Sequence, residues 1–138
     1  MNYLPSVAGR PIVSSLGNPV LDASAVLAVM QGETGADRVL EVLAGSVMSA
    51  VNVAEVLAKL VDKGMPGPVA VEAFGALHIE VAPFGLSEAV SSVNFVHPKL
   101  SLGDRACLAT AAVKGGAAVT ADTIWKDVAT AVNVVCVR

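Results

Sequence analysis

Short apolar segments alternate along this chain with longer segments in which apolar residues recur at helical spacing. The short segments predict strands at 20–21, 47–49, 79–83, 117–120 and 132–137. Because parallel strands are joined by crossovers that usually contain a helix, the alternation predicts an α/β fold with a parallel sheet between helices. Residues 19–138 then form one domain. The segment 1–18 is rich in Pro, Gly and Ser without a period, which predicts an irregular N-terminal extension.

Helical spacing is clearest in the third predicted helix, at Val53, Val56, Leu57, Leu60 and Val61. Gly64 is predicted to end this helix. Further helices are predicted at 25–30, 37–43, 66–77, 86–93 and 101–114. The helix at 101–114 is apolar on nearly all sides, so we expect it to be packed between other elements.

The composition of the chain says more about where the protein is located than about what reaction it performs. Hydrophobic residues make up 54% of the chain, but no run approaches the roughly 18 uncharged apolar residues of a membrane helix. The first residues do not resemble a secretory signal, so we expect a cytoplasmic protein with no membrane span. Cys107 and Cys136 lack metal or redox spacing and are predicted to be reduced core residues. The formal charge of −3 is unusual for a nucleic-acid-binding protein, but two divalent cations would outweigh it.

Acidic residues follow the predicted strands or open the helices after them, at Asp22, Glu55, Asp104 and Asp122. In open parallel sheets, the working site lies at the carboxyl ends of the strands, where the strand order reverses. Carboxylates that converge there repel one another unless cations neutralise them. A set of oxygen ligands without His or Cys favours Mg²⁺ or Mn²⁺. Such an ion can activate water and offset charge on a phosphodiester.

Each of these acids also has a purely structural explanation. Asp22 could cap the first helix, and Asp122 could be a turn residue. The segments 52–55 and 101–104 both fit a capping box, in which the last residue bonds back to the backbone of the first. Glu55 could instead form a surface ion pair with Lys59. Spacing alone leaves these alternatives open.

Four segments share their residues and order with a known family. They are 20–25 (VLDASA), 49–56 (SAVNVAEV), 100–109 (LSLGDRACLA) and 120–125 (TADTIW). From Pro19 to the C-terminus the chain resembles the PIN-domain ribonucleases, and most closely the VapC toxins of toxin–antitoxin pairs. The block at 100–109 is far more specific than any single acid.

The resemblance implies a three-layer fold with a parallel five-stranded sheet in the order 3-2-1-4-5, flanked by helices. It implies a Mg²⁺- or Mn²⁺-dependent endoribonuclease. The implied metal-binding and catalytic residues are Asp22, Glu55 and Asp104, with Asp122 completing the site. The positions expected to orient metal or water from a second shell, or alternatively to act as cap or turn residues, are Ser24, Asn52 and Thr120.

The implied partners are an RNA substrate, a cognate antitoxin protein and a second copy of the chain. A homodimer is also expected because few charged residues cover the Ala/Val-rich helices. The nearest cations to the acids in the sequence, Lys59 and Arg105, are either phosphate contacts or solvated charges. A phosphatase would need a second Asp where this chain has Ser24. A catalytically inactive PIN-like interaction module is the remaining alternative, and the complete set of four acids argues against it.

Overall fold

The computed structural model describes residues 17–128 and 131–138, so most of the predicted N-terminal extension lies outside the described residues. The strands are β1 (Val20–Leu21), β2 (Val47–Ser49), β3 (Glu80–Ala82), β4 (Ala118–Thr120) and β5 (Val134–Cys136). The helices are α1 (Ala23–Gln31), α2 (Ala36–Leu40), α3 (Ala50–Asp62), α4 (Gly67–Gly75), α5 (Leu86–Ser91) and α6 (Leu102–Lys114). Short 3-10 helices lie at Leu43–Gly45, Ser92–Phe95 and Thr123–Asp127.

The strands form one parallel sheet in the order β3-β2-β1-β4-β5, which confirms the expected topology. Val20 of β1 pairs with Val47 on one side and with Ala118 on the other. The chain therefore builds the sheet outward in one direction from β1 to β3, and in the other from β4 to β5. The strand order reverses between β1 and β4, and a crevice is expected beyond their carboxyl ends.

Both faces of the sheet are covered, as the apolar character of the strands predicts, except at the edge strand β3, where Glu80 and Val81 are exposed. Leu21 and Val119 pack on one face in a core shared with α1, α2, α3 and α4. Val20 and Ala118 point to the other face and pack with residues of α6, including Leu108. The helix α6 buries seven of its residues, which confirms the prediction from its apolar surface.

Two helices begin earlier than the apolar spacing predicts, because each follows its strand without a loop. The helix α1 begins at Ala23, directly after Asp22. The helix α3 begins at Ala50, and the Ser49 hydroxyl caps it by accepting from the backbone N–H of Val51 at 3.2 Å. Asn52 therefore lies inside α3, and the predicted capping box at 52–55 is wrong. The predicted helix at 37–43 is also shorter, since α2 ends at Leu40.

The apolar stripe of α5 faces solvent in the single chain. Leu86, Val90 and Val93 have helical spacing, yet they are 81%, 63% and 69% exposed. Val96 and Leu102 are also largely exposed, on the segment after α5 and at the start of the adjoining α6. We call these five residues the α5 face. No helix among the described residues is long and apolar enough to cross a membrane.

Candidate metal centre

Asp22 lies at the end of β1, on the edge of the sheet where the strand order reverses. Its backbone N–H continues the parallel ladder by donating to the carbonyl of Val119 at 3.0 Å. Its side chain is only 3% exposed, and Oδ1 accepts from the backbone N–H of Ala25 at 2.9 Å. Asp22 therefore caps α1, as one of the structural alternatives proposed, but a surface cap would not require such deep burial.

Two hydroxyl groups hold the Asp22 carboxylate from opposite sides of the β1–β4 junction. Ser24 Oγ donates to Oδ1 at 2.8 Å, and Thr120 Oγ1 donates to Oδ2 at 2.5 Å. Ser24 Oγ also accepts from the backbone N–H of Ala121 at 2.9 Å. The two hydroxyls thus fix the carboxylate and tie α1 to the end of β4. Their contacts give both residues a positioning role at Asp22.

Burial raises the pKa of Asp22 from 3.8 to about 6. The hydrogen bonds from Thr120, Ala25 and Ser24 oppose this rise because they stabilise the charged form. The nearby negative charge of Asp104 makes a smaller contribution that raises the pKa further. Loss of hydration, more than repulsion between the acids, therefore penalises the charged carboxylate.

Glu55 lies in the second turn of α3, and its carboxylate is held between α3 and α6. Asn52 Nδ2 donates to Glu55 Oε1 at 2.7 Å and to the backbone carbonyl of Gly103 at 3.0 Å. Asn52 is 1% exposed; its bond to Gly103 is buried and its bond to Glu55 is part-buried. No ion pair joins Glu55 to Lys59, although both residues are described. The side chain of Glu55 is thus directed to the start of α6 and not along its own helix surface.

Asp104 lies in the first turn of α6 and takes part in the capping box predicted at 101–104. Its Oδ2 accepts from the backbone N–H of Ser101 at 2.9 Å, and the Ser101 hydroxyl accepts from the N–H of Asp104 at 3.1 Å. The guanidinium of Arg105 is next to this turn, because its Nε donates to the Ser101 carbonyl at 3.3 Å. Asp104 has a structural role here and also acts electrostatically on Asp22.

Three of the acids lie near enough to the thiol of Cys107 to act on it electrostatically. Cys107 is fully buried on α6, and this burial raises the pKa of its thiol well above the usual value. The negative charges of Asp22, Asp104 and Glu55 raise that pKa further, in this order of importance. Acids that are far apart in the sequence are thus near the same buried part of α6. The prediction that Cys107 and Cys136 are core residues is confirmed, since both are buried and neither is in a disulfide.

Asp122 shares the hydroxyl of Thr120 with Asp22 through its backbone, but its carboxylate is directed to the helix that follows. Its backbone N–H donates to Thr120 Oγ1 at 2.9 Å, while its Oδ1 accepts from the N–H of Ile124 at 3.0 Å. It therefore caps the short helix Thr123–Asp127, as the turn alternative proposed. Its charge is not among those that raise the pKa of Asp22 or Cys107. Trp125, within this short helix, is 2% exposed and belongs to the core.

The donor atoms at this edge fit a hard divalent cation in their chemistry. They are carboxylate oxygens, with hydroxyl and amide groups behind them and no imidazole. Within 17–128 and 131–138, however, no three His, Cys, Asp or Glu side chains are arranged as ligands of one ion. The reason is visible in the hydrogen bonds, because Asp104 and Asp122 each cap a helix and Glu55 is held by Asn52. A common ion would require some of these carboxylates to turn.

Two residues of the site were not identified from the sequence. Gly103 lies against the Glu55 carboxylate so closely that a β-carbon on Gly103 would overlap it. Cys107 was assigned only to the core, although the charges of three of the acids reach its thiol. The one available signal for Gly103 was a glycine in the first turn of an otherwise strong helix, since glycine costs about 1 kcal/mol there relative to alanine.

The parallel sheet and the acids at its reversal point define an α/β protein with an acidic site between β1 and β4. A PIN domain family model matches residues 20–131, and the chain therefore belongs to the PIN domain family. A comparison with curated protein sequences finds no match. Among solved structures, a chain of a toxin–antitoxin complex from Klebsiella pneumoniae is similar in fold, with a TM-score of 0.70 and 22% sequence identity. The similarity covers 87% of this chain and 98% of that chain.

Proposed function

We propose that this chain is a Mg²⁺- or Mn²⁺-dependent endoribonuclease and the toxin of a toxin–antitoxin pair. The observation that carries the proposal is the deep burial of the Asp22 carboxylate where the strand order reverses, together with the Glu55 carboxylate held against Gly103, the residue before Asp104. A protein that needed only helix caps would not place an ionisable group as buried as Asp22 beside two further acids. Membership of the PIN domain family and the similarity in fold to a chain from a toxin–antitoxin complex support the same function.

The chain's own residues would position the acids and the substrate. Asp22, Glu55 and Asp104 would hold the cation, with Asp122 at the rim of the site. A divalent ion bound there would lower the pKa of a water molecule and offset charge on the scissile phosphate. Ser24 and Thr120 would keep the Asp22 carboxylate fixed, and Asn52 would do so for Glu55. Such support is typical of metal sites, where outer hydrogen bonds orient the ligands.

The structure favours this function over a phosphatase with an aspartyl nucleophile. Ser24 lies where the second Asp of such an enzyme is expected, and its hydroxyl donates to both oxygens of Asp22. An aspartate in place of Ser24 would put a second negative charge beside Asp22 and remove the hydroxyl that donates to it. Arg105 directly follows Asp104 in α6, and we propose it as a contact for a substrate phosphate.

We expect the purified protein to cleave RNA only when Mg²⁺ or Mn²⁺ is present. Asp104→Asn should lower the rate by about a thousandfold, because bound metal contributes several kcal/mol to such reactions. The measurement is cleavage of a panel of structured RNAs, with and without EDTA. Asp62→Asn is the matched control, since Asp62 is exposed at the far end of α3.

Cleavage that survives both EDTA and the Asp104→Asn substitution would disprove the metal mechanism. The toxin role is tested with the same variants expressed in growing cells. The wild type should arrest growth and Asp104→Asn should not. Normal growth with abundant soluble wild-type protein would contradict the toxin role. The nuclease activity would then still be decided by the RNA cleavage assay.

We also propose that the chain forms a homodimer and binds an antitoxin. The α5 face consists of five largely exposed apolar side chains on elements that pack against one another, and groups of exposed apolar side chains can mark interaction surfaces. In the dimer, a second copy would cover this face by two-fold symmetry. The antitoxin is expected to be a separate small protein.

The variant Val90→Lys should shift the protein from dimer to monomer. Val90 is 63% exposed, so a lysine there should not disturb the fold, but in an interface its charge would lose hydration. Light scattering across micromolar concentrations should show dimerisation weakened at least tenfold, or about 1.4 kcal/mol. Val71→Lys, at an exposed valine of α4, is the control and should remain dimeric. A monomeric wild type, or a dimer unaffected by Val90→Lys, would refute this interface.

A further inference from the structure

Gly103 occupies an unusual position for a residue that contributes no side chain. It is buried in the first turn of α6, directly before Asp104, where alanine would form the helix better. The carboxylate of Glu55 lies in the space that a β-carbon of Gly103 would fill, with both oxygens in contact range of that position. The Glu55 side chain of α3 therefore occupies the space that is left free because Gly103 of α6 has no side chain.

Asn52 completes the arrangement on the other side of the carboxylate. One amide group donates both to Glu55 Oε1, at 2.7 Å, and to the carbonyl of Gly103 itself, at 3.0 Å. Its Oδ1 is buried and has no hydrogen-bond partner among the described residues. The amide is thus oriented for its two donor contacts at the expense of its acceptor, which indicates that holding Glu55 is its main role.

We propose that Gly103 is a positioning residue of the acidic site. Its missing β-carbon leaves the space in which the Glu55 carboxylate is held, and Asn52 locks that carboxylate to the Gly103 backbone. Because Glu55 ends in a flexible carboxylate, a methyl group on Gly103 would displace the carboxylate and leave the helix intact. The inference rests on the proposed metal-dependent function for its purpose, but the contact itself can be tested without metal.

The test is Gly103→Ala, measured in two ways. In EDTA, the side-chain amide signals of Asn52 in a ¹⁵N NMR spectrum should move to the position of an amide not bound to a carboxylate. The melting temperature should not fall, because alanine is the better helix former. By calorimetric titration, Mn²⁺ should bind about 10- to 100-fold more weakly than to the wild type, as for other losses of support behind a metal ligand.

Gly75→Ala is the matched control, since Gly75 lies in α4 with nothing within 4 Å of an added β-carbon. It should leave the Asn52 signals and the Mn²⁺ affinity unchanged. Asn52→Ala removes the lock and leaves Gly103, so it should weaken Mn²⁺ binding even if Gly103→Ala does not fold. Unchanged Asn52 signals in Gly103→Ala, or wild-type Mn²⁺ affinity in a folded Gly103→Ala or Asn52→Ala, would overturn the proposal. A wild type that binds no Mn²⁺ would refute the metal function instead, and the amide signals would still decide the role of Gly103.

Discussion

In EDTA at pH 7, the variant Asp22→Asn is expected to be more stable than the wild type. Burial raises the pKa of Asp22 from 3.8 to about 6, so keeping the carboxylate charged at pH 7 costs the folded state about 3 kcal/mol. Asparagine has no charge to bury and can still accept from the N–H of Ala25. Its amide donor meets the hydroxyls of Ser24 and Thr120, which can turn to accept. We expect a net gain of about 1–2 kcal/mol.

The pH dependence of stability should change with the same substitution. Folded wild type binds a proton at Asp22 more tightly than the unfolded chain does, so the contribution of this group to stability is complete below about pH 4. That contribution is lost as the pH rises through about 6. Asp22→Asn should lack this fall, and Asp62→Asn should retain it. Urea unfolding from pH 4 to pH 8 measures the difference, and parallel curves for wild type and Asp22→Asn would show that Asp22 is not desolvated.

The fold could be predicted from the sequence because its strands and helices differ in apolar pattern. Val20 and Leu21 pack on opposite faces of the sheet, and both faces are covered, so no polar residue interrupts the strand. The two glycines after α6 and the acid after β4 mark the boundaries of these elements. The strand order, in contrast, was predicted from the family resemblance, since apolar pattern does not state which strands are neighbours.

Boundaries and exposed faces were harder to predict. The start of α3 was placed too late because Ser49 is both the last residue of β2 and the cap of the helix. Periodicity identified Leu86 and Val90 as one face of a helix, but it does not reveal whether that face meets the core or solvent. In the described chain it meets solvent. Spacing defines a face, and only tertiary packing decides what covers it.

In the candidate site, too, local pattern predicts some features and tertiary packing decides others. The four acids could be singled out from the sequence because each is predicted to follow a strand or open a helix, although Glu55 lies in the second turn of α3. The contact of Glu55 with Gly103 could not be predicted, because it depends on how closely α3 approaches α6. The burial of Asp22 likewise results from the packing of α1 against β4, which local pattern does not specify.

Addition of Mg²⁺ or Mn²⁺ should stabilise the wild type more than any single substitution described here. Because the ion would bind the folded chain and not the unfolded one, a concentration a hundred times the dissociation constant should add about 2.7 kcal/mol. For a domain of this size, the melting temperature should rise by about 10 °C. Asp22→Asn and Asp104→Asn should each lose most of this rise. Asp62→Asn, which changes a charge far along α3, should retain it.

The variant Asp104→Asn separates the two roles of this acid. An asparagine oxygen can still accept from the N–H of Ser101, so the capping box should survive and the stability in EDTA should change little. Only the charge that a cation needs would be lost. Asp122→Asn should keep most of the metal response, because the Asp122 carboxylate already accepts from the N–H of Ile124 and caps the helix that follows it. If Asp104→Asn melted like the wild type both in EDTA and in saturating Mn²⁺, Asp104 would be a helix cap alone, and the cation would have to bind without it.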